Sequence, residues 1–223
     1  YLYSSFSFFE GRWTPFKKNI FKFLKVLQNT IKAHKLTYQA IHKNFPDKMV
    51  GMSEFIMFFS GFLSPIKHIR HFYFLNKIKN HQDFIGLNYY LRHSLFELLK
   101  ISRRETTDMG WEICPKGIYY VLKDLKKYNK PIYITENGLA DAKDEKREKF
   151  IVEHLEWVHR AIEEGVDVRG YFHWSLIDNF EWAWGFKQRF GLIEIDYNNN
   201  LKRIPRPSSK IYAEICKNNG LNI

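Results

Sequence analysis

Apolar positions along the chain alternate between a helical and an extended period. From Asn19 onward, Ile20, Leu24, Leu27, Ile31, His34, Tyr38 and Ile41 recur at spacings of four and three, which predicts an amphipathic helix with one buried stripe. His34 lies on that stripe and is expected to be a hydrogen-bonded core histidine. Asn44 to Asp47 reads as a turn, and Lys48 to Ser53 as a short buried strand. After the breakers Gly61 and Pro65, Ile66 to Ile78 reads as helix. Asp83 to Tyr90 is a second strand, and Leu91 to Thr107 an excursion or hairpin. Pro115, at a first helical position, opens a helix carrying Ile118, Val121, Leu122, Leu125 and Tyr128. Pro131 to Gly138 is a third strand, delivering Glu136 to its tip before Asn137-Gly138 turns the chain. Asp144 is expected to cap the next helix, which buries Ile151, Leu155, Val158 and Ile162 and ends at Gly165. Val168 to Trp174 is a fourth strand, Gln188 to Tyr197 an extended stretch, and Pro207 to Asn218 a last helix closed by Gly220.

Strands alternating with amphipathic helices imply an α/β fold with parallel strands and right-handed crossovers. An open doubly wound sheet and a (β/α)8 TIM barrel both fit. No Gly-rich phosphate loop follows a strand, which argues against a nucleotide-binding open sheet. Polar residues gather at the strand ends, as on the catalytic rim of a barrel: Ser53-Glu54, Asn88-Tyr89-Tyr90, Thr135-Glu136-Asn137 and His173-Trp174. A barrel needs about eight strands and roughly 250 residues, and only four strands are legible. The expectation is a single domain, residues 1–223, holding about half a barrel.

The 223 residues are 45% hydrophobic and 17% aromatic, enough for one domain with a real core. The net charge of +11 is spread along helical segments without a block of like charges, so it reads as a solvated basic surface rather than a nucleic-acid footprint. Two cysteines, Cys114 and Cys216, form neither a disulfide framework nor a metal motif, which points to a reducing cytoplasm. No apolar run reaches 18 residues, so no membrane span is expected.

The candidate chemistry lies in two stretches. Glu136 at a strand tip reads equally as a reactive carboxylate or as a solvated turn residue. In the second stretch, Trp174, Trp182 and Trp184 alternate with Asp178, Asn179 and Glu181 almost without aliphatic spacers. Indoles stack on the apolar faces of sugar rings, and carboxylates and amides bind hydroxyl groups. An aromatic core corner does not explain the interleaved polar groups.

Ile134-Thr135-Glu136-Asn137-Gly138 and His173 to Trp182 resemble the signatures of glycoside hydrolase family 1, the β-glucosidase family. Asp83 to Tyr90, Met109 to Ile113 and Arg189 to Leu192 resemble further motifs of that family in the same order. The resemblance implies a retaining β-glycosidase on a (β/α)8 barrel that uses no metal and no organic cofactor. It implies Glu136 as nucleophile, Tyr90 as hydrogen-bond donor to it, and Asn88 as a polar neighbour. A donor to the carboxylate favours its charged form. Trp174 would be the platform under the sugar, Glu181 and Trp182 would bind its hydroxyls, Phe190 would wall the subsite, and Trp111 would stand at the aglycone entrance. The Glu181-Trp182 pair points to a β-linked glycoside without a phosphate.

Two departures matter. The family's acid/base carboxylate, in a Thr-x-Asn-Glu-Pro motif, does not occur here, and neither do its amino-terminal Gln and His sugar ligands. Tyr1 to Pro15 resembles the segment that follows that motif. The 223 residues are therefore expected to be the carboxyl-terminal part of a longer enzyme, and inactive alone. Gly51 to Asp83 is also short for the family, which bears on the aglycone side. A non-catalytic carbohydrate-binding relative is the alternative; a nucleic-acid-binding module has only the charge to recommend it.

Overall fold

The computed structural model describes residues 1–94, 99 and 104–221. Its helices are α1 (Leu2–Ser4), α2 (Ile20–Asn44), α3 (Tyr73–Ile78), α4 (Pro115–Leu125), α5 (Arg147–Glu163) and α6 (Pro207–Asn218). The strands are β1 (Gly51–Phe55), β2 (Phe58–Phe59), β3 (Phe84–Tyr89), β4 (Arg92–His93), β5 (Ile132–Asn137), β6 (Val168–His173), β7 (Ile193–Asp196) and β8 (Lys202–Pro205). Strands β1, β3, β5 and β6 make one parallel sheet in chain order, as the alternating pattern predicts. β2 and β4 form a small parallel pair, and β7 and β8 an antiparallel hairpin.

The sheet buries its helix-facing side under α4 and α5. Ile85, Leu87, Ile132 and Ile134 meet Ile118, Val121, Leu122, Leu125, Val158 and Ala161 there, all at most 5% exposed. Period-two alternation then puts Asn88 and Tyr90 on the opposite face from Leu87 and Tyr89, at the carboxyl-terminal end of β3. The ladder slips between Leu87 and Asn88 against β5, and between Ile134 and Asn137 against β6. Such irregularities re-aim side chains; Glu136 stays paired with Asn88 of β3 but has no register partner on β6.

Several expectations are corrected. The first strand is Gly51–Phe55 rather than Lys48 to Ser53, because its register is set by pairing Gly51 with Phe84. On α2 the buried line is Phe23, Leu27 and Ile31, packed on Phe74 and Ile78; Ile20 and Leu24 are exposed. His34 is half-buried rather than in the core, and its Nε2 hydrogen-bonds the His81 carbonyl at 2.6 Å. Asp144 does not cap α5. Asp141 Oδ2 accepts from the Lys146 and Arg147 amides at that end, while Asp144 accepts the Ser208 amide at 2.9 Å, capping α6 instead. Arg147 also pairs with Asp144. Asn219 takes the left-handed conformation that ends α6, with Gly220 donating the closing bond to Ile215. The hairpin expected over Leu91 to Thr107 falls partly outside the described residues; β4 and an antiparallel bridge between Thr106 and Glu112 are its described parts.

Candidate active site

At the carboxyl-terminal end of the sheet is a cavity of about 410 Å³. Glu136 lines it from β5, and Asn88 and Tyr90 from the end of β3. The Tyr90 hydroxyl donates to Glu136 Oε2 at 2.7 Å. Thr135 Oγ1 donates to Asn88 Oδ1 at 2.6 Å, which orients that amide so that its NH2 faces the carboxylate. Burial raises the Glu136 pKa above the ordinary carboxylate value, and the Tyr90 and Asn88 hydrogen bonds only partly oppose it. The Tyr90 bond favours the charged form of the carboxylate, and desolvation outweighs it. Burial, with the Glu136 charge second, pushes the Tyr90 phenol well above 10, so it remains a donor.

The second stretch is positioned from β6. The Trp174 amide donates to the Asn137 carbonyl at 3.0 Å, so the segment turns directly over the Glu136 strand. A Cβ on Gly138 would sit 1.7 Å from the Trp174 carbonyl oxygen, so only glycine allows this approach. The Ser175 amide then donates to the Phe190 carbonyl at 3.1 Å, the Leu192 amide donates to the Ser175 carbonyl at 2.8 Å, and Ile177 bridges Ile193 in parallel. That pairing brings Phe190, 1% exposed, into the cavity wall beside Tyr90, ring centroids 6.2 Å apart. Trp111 meets the same tyrosine edge-on at 5.8 Å.

Glu181 is 8% exposed and faces the cavity. Trp174 hydrogen-bonds it, yet its Oε2 has no partner. Burial raises its pKa, the Trp174 bond opposes this, and the Glu136 charge adds to the rise. A buried carboxylate oxygen without a donor is costly and suits a ligand that brings hydroxyl groups. Trp182 lines the cavity but is 60% exposed, and its ring stacks on Trp13 at 4.6 Å and 14°.

All eight residues singled out from the sequence therefore line one cavity. The neighbouring polar residues of the aromatic stretch do not. Asp178 is buried among cations: Arg206 Nη1 and Nη2 reach it at 3.1 Å, Arg189 Nη1 at 3.2 Å, and the Gly191 amide at 2.9 Å. Asn179 donates to Ser175 Oγ at 3.1 Å. These two brace the loop, so of the three interleaved polar residues only Glu181 is offered to a ligand. Sequence reasoning missed Trp13, Arg12 and Arg70, which also line the cavity. Their segments carry no regular period, and only the tertiary approach reveals them. Among the described residues, no group of three or more His, Cys, Asp and Glu side chains is placed to hold a metal ion. Nor is any helix long and apolar enough to cross a membrane.

The sequence profile of glycosyl hydrolase family 1 matches residues 96–221, more than half of the chain. The chain belongs to glycosyl hydrolase family 1. This family 1 chain is 43% identical over 164 residues to a beta-galactosidase of Sulfolobus acidocaldarius, covering 65% of this chain and 33% of that protein. It is 44% identical over 166 residues to beta-glucosidase A of Thermotoga maritima, covering 66% and 37%. Among solved structures, the beta-glycosidase from Pyrococcus horikoshii superposes with a TM-score of 0.86 at 38% identity, covering 97% of this chain and 58% of that one. The Thermotoga maritima beta-glucosidase in complex with glucoimidazole does so at 0.86 and 29%, covering 99% and 62%. The matched stretch thus spans about a third of the length of these sequence relatives. The solved neighbours are (β/α)8 barrel glycosidases, and the four-stranded parallel sheet corresponds to part of that barrel.

Proposed function

We propose that the protein containing these residues is a retaining β-glycosidase, with Glu136 as its nucleophile. The observation that carries this is the pairing of Glu136 with Tyr90 at 2.7 Å in a cavity that also presents the unpartnered oxygen of Glu181. Glu136 attacks the anomeric carbon, the C–O bond to the leaving group breaks, and a covalent glycosyl-enzyme forms. A second carboxylic acid protonates the departing oxygen and later, as carboxylate, takes a proton from the water that hydrolyses the intermediate. Tyr90 and Asn88 hold the nucleophile in place and oppose the effect of burial on its ionisation. Trp174 supplies the platform for the sugar face, Glu181 and Trp182 bind hydroxyls, Phe190 closes the subsite, and Trp111 flanks the leaving group. A carboxylate at Glu181, already electrostatically opposed to Glu136, favours a neutral, unphosphorylated sugar.

Retaining chemistry needs two carboxyl groups about 5–5.5 Å apart. Glu181 is committed to hydroxyl binding, and Glu10 is taken by Arg12 at 3.0 Å and Ser5 at 3.0 Å. Among the described residues no other carboxylate lines the cavity, and on this reading the acid/base is supplied from elsewhere in the complete protein, these residues being part of a single barrel domain that does not turn over glycosides alone. Two free cysteines, Cys114 buried and Cys216 exposed, favour a reducing compartment such as the cytoplasm. The test is labelling of the complete protein with a 2-deoxy-2-fluoro β-glycoside. A glycosyl adduct on the peptide containing Glu136, absent in Glu136→Gln, supports the reading. No adduct, or ordinary turnover of an aryl β-glucoside by residues 1–223 alone, counts against it.

A further inference from the structure

We propose that Arg70 selects glycosides whose leaving group carries an anionic oxygen substituent, such as a carboxylate. This rests on the glycosidase reading of the cavity and extends it to the leaving-group side. The sheet order sets the direction. Trp174 and Glu181 follow β6, Glu136 ends β5, and Phe55 ends β1, with all four lining one cavity. A sugar seated on Trp174 and Glu181 occupies the β6 end, so the leaving group extends past Glu136 toward β1.

Arg70 stands at that far end. It belongs to the π-helical turn His68–Phe72. The turn is tied to the strand side by the Met57 amide, which donates to His71 Nε2 at 3.3 Å. Arg70 is half-buried and lines the cavity. Among the described residues it has no carboxylate within ion-pair distance. Arg12, the other guanidinium on the cavity, is already held by Glu10 at 3.0 Å and lies over the Phe6 ring at 5.2 Å. Burial, and then the Arg70 charge, hold the adjacent His71 neutral, with its pKa lowered to about 3, so that imidazole does not compete for the same anion. A half-buried guanidinium with no carboxylate partner among the described residues is a ready partner for a planar oxyanion, which it binds through paired N–H donors.

The complete protein is assayed on two matched phenyl β-glucosides, one bearing a meta-carboxylate and the other a meta-carboxamide. The quantity read is the carboxylate-to-carboxamide ratio of kcat/KM in wild type, divided by the same ratio in Arg70→Gln, which cancels leaving-group ability. A double ratio of about tenfold or more is expected, from the usual strength of hydrogen bonds to charged groups, with Arg70→Lys in between. A double ratio near one overturns the proposal. If neither substrate is hydrolysed by wild type, the glycosidase reading fails and the proposal falls with it. Should Arg70→Gln not fold, wild type alone decides, using the two S-linked thioglucosides as inhibitors. The carboxylate is expected to bind about tenfold tighter at low salt, with the advantage shrinking at about 1 M salt; equal inhibition at both salt levels overturns it.

Discussion

Replacing Tyr90 by Phe removes one oxygen and little else. The ring keeps its edge contacts with Trp111 at 5.8 Å and Phe190 at 6.2 Å, and the site is already 92% covered, since Tyr90 is 8% exposed. What is lost is the 2.7 Å hydrogen bond to Glu136 Oε2. A hydrogen bond to a charged group contributes about 1.5–3 kcal/mol. Its loss falls on the ionised carboxylate and not on the protonated acid, so the Glu136 pKa, already raised by burial, rises further. The sign follows directly: on the acidic limb a smaller fraction of the nucleophile is ionised, and kcat/KM falls by about tenfold to a hundredfold there. At pH values well above the variant's limb the carboxylate is ionised in both proteins, and the deficit narrows to whatever orientation the hydroxyl supplied. The measurement is kcat/KM against pH for an aryl β-glucoside, with the complete protein and its Tyr90→Phe form side by side. A deficit that is the same at every pH, with the acidic limb unmoved, refutes the claim that Tyr90 acts through the ionisation of Glu136.

Three further outcomes follow from the geometry. Asp178→Asn leaves Arg206, 4% exposed, without its buried counter-charge, and is expected to cost about 3–5 kcal/mol; urea denaturation reads the loss, while KM per folded molecule stays put, because Asp178 braces the loop rather than binding sugar. Gly138→Ala forces a Cβ to within 1.7 Å of the Trp174 carbonyl, and is expected to lower stability by about 3 kcal/mol, or roughly 6–12 °C in Tm; an unchanged melting curve contradicts the close approach. His71, His154 and His173 are buried neutral, each with its pKa lowered to about 3, so below pH 6.5 the unfolded chain takes up protons that the folded one refuses. Stability therefore falls as pH drops from 6.5 toward 3, by up to about 1.4 kcal/mol per pH unit for each histidine. The buried Glu136 and Glu181, with raised pKa values, act in the opposite direction above pH 4.5. A urea midpoint that does not change between pH 7 and 5 rules out the histidine effect.

What the sequence made legible was whatever is encoded within a few residues. Each catalytic candidate sits at a strand tip, where a short stretch must both end the ladder and present a polar group, so strand and chemistry are written side by side. The Ile132–Asn137 strand with Glu136 and the Val168–His173 strand with Trp174 are both of this kind. What stayed hidden depends on partners distant in the chain. Helix α2 carries two apolar lines, and periodicity alone cannot say that Phe23, Leu27 and Ile31 are the covered ones; Phe74 and Ile78 decide it. Strand β8 has four exposed residues and no pattern of its own, and exists because β7 pairs with it. Asp178 looked like a sugar ligand because its nearest sequence neighbours are aromatic, but two arginines, 11 and 28 residues further along, neutralise it. Trp13 and Trp182 stack across 169 residues, with no local sign of either meeting the other. The same distinction separates the reacting group from its tuning. The identity of Glu136 is local, whereas its ionisation is set by Tyr90 and Asn88 from the neighbouring strand and by the burial the whole rim imposes. Reading Tyr90 alone gave the sign of one contribution; the net direction required the cavity.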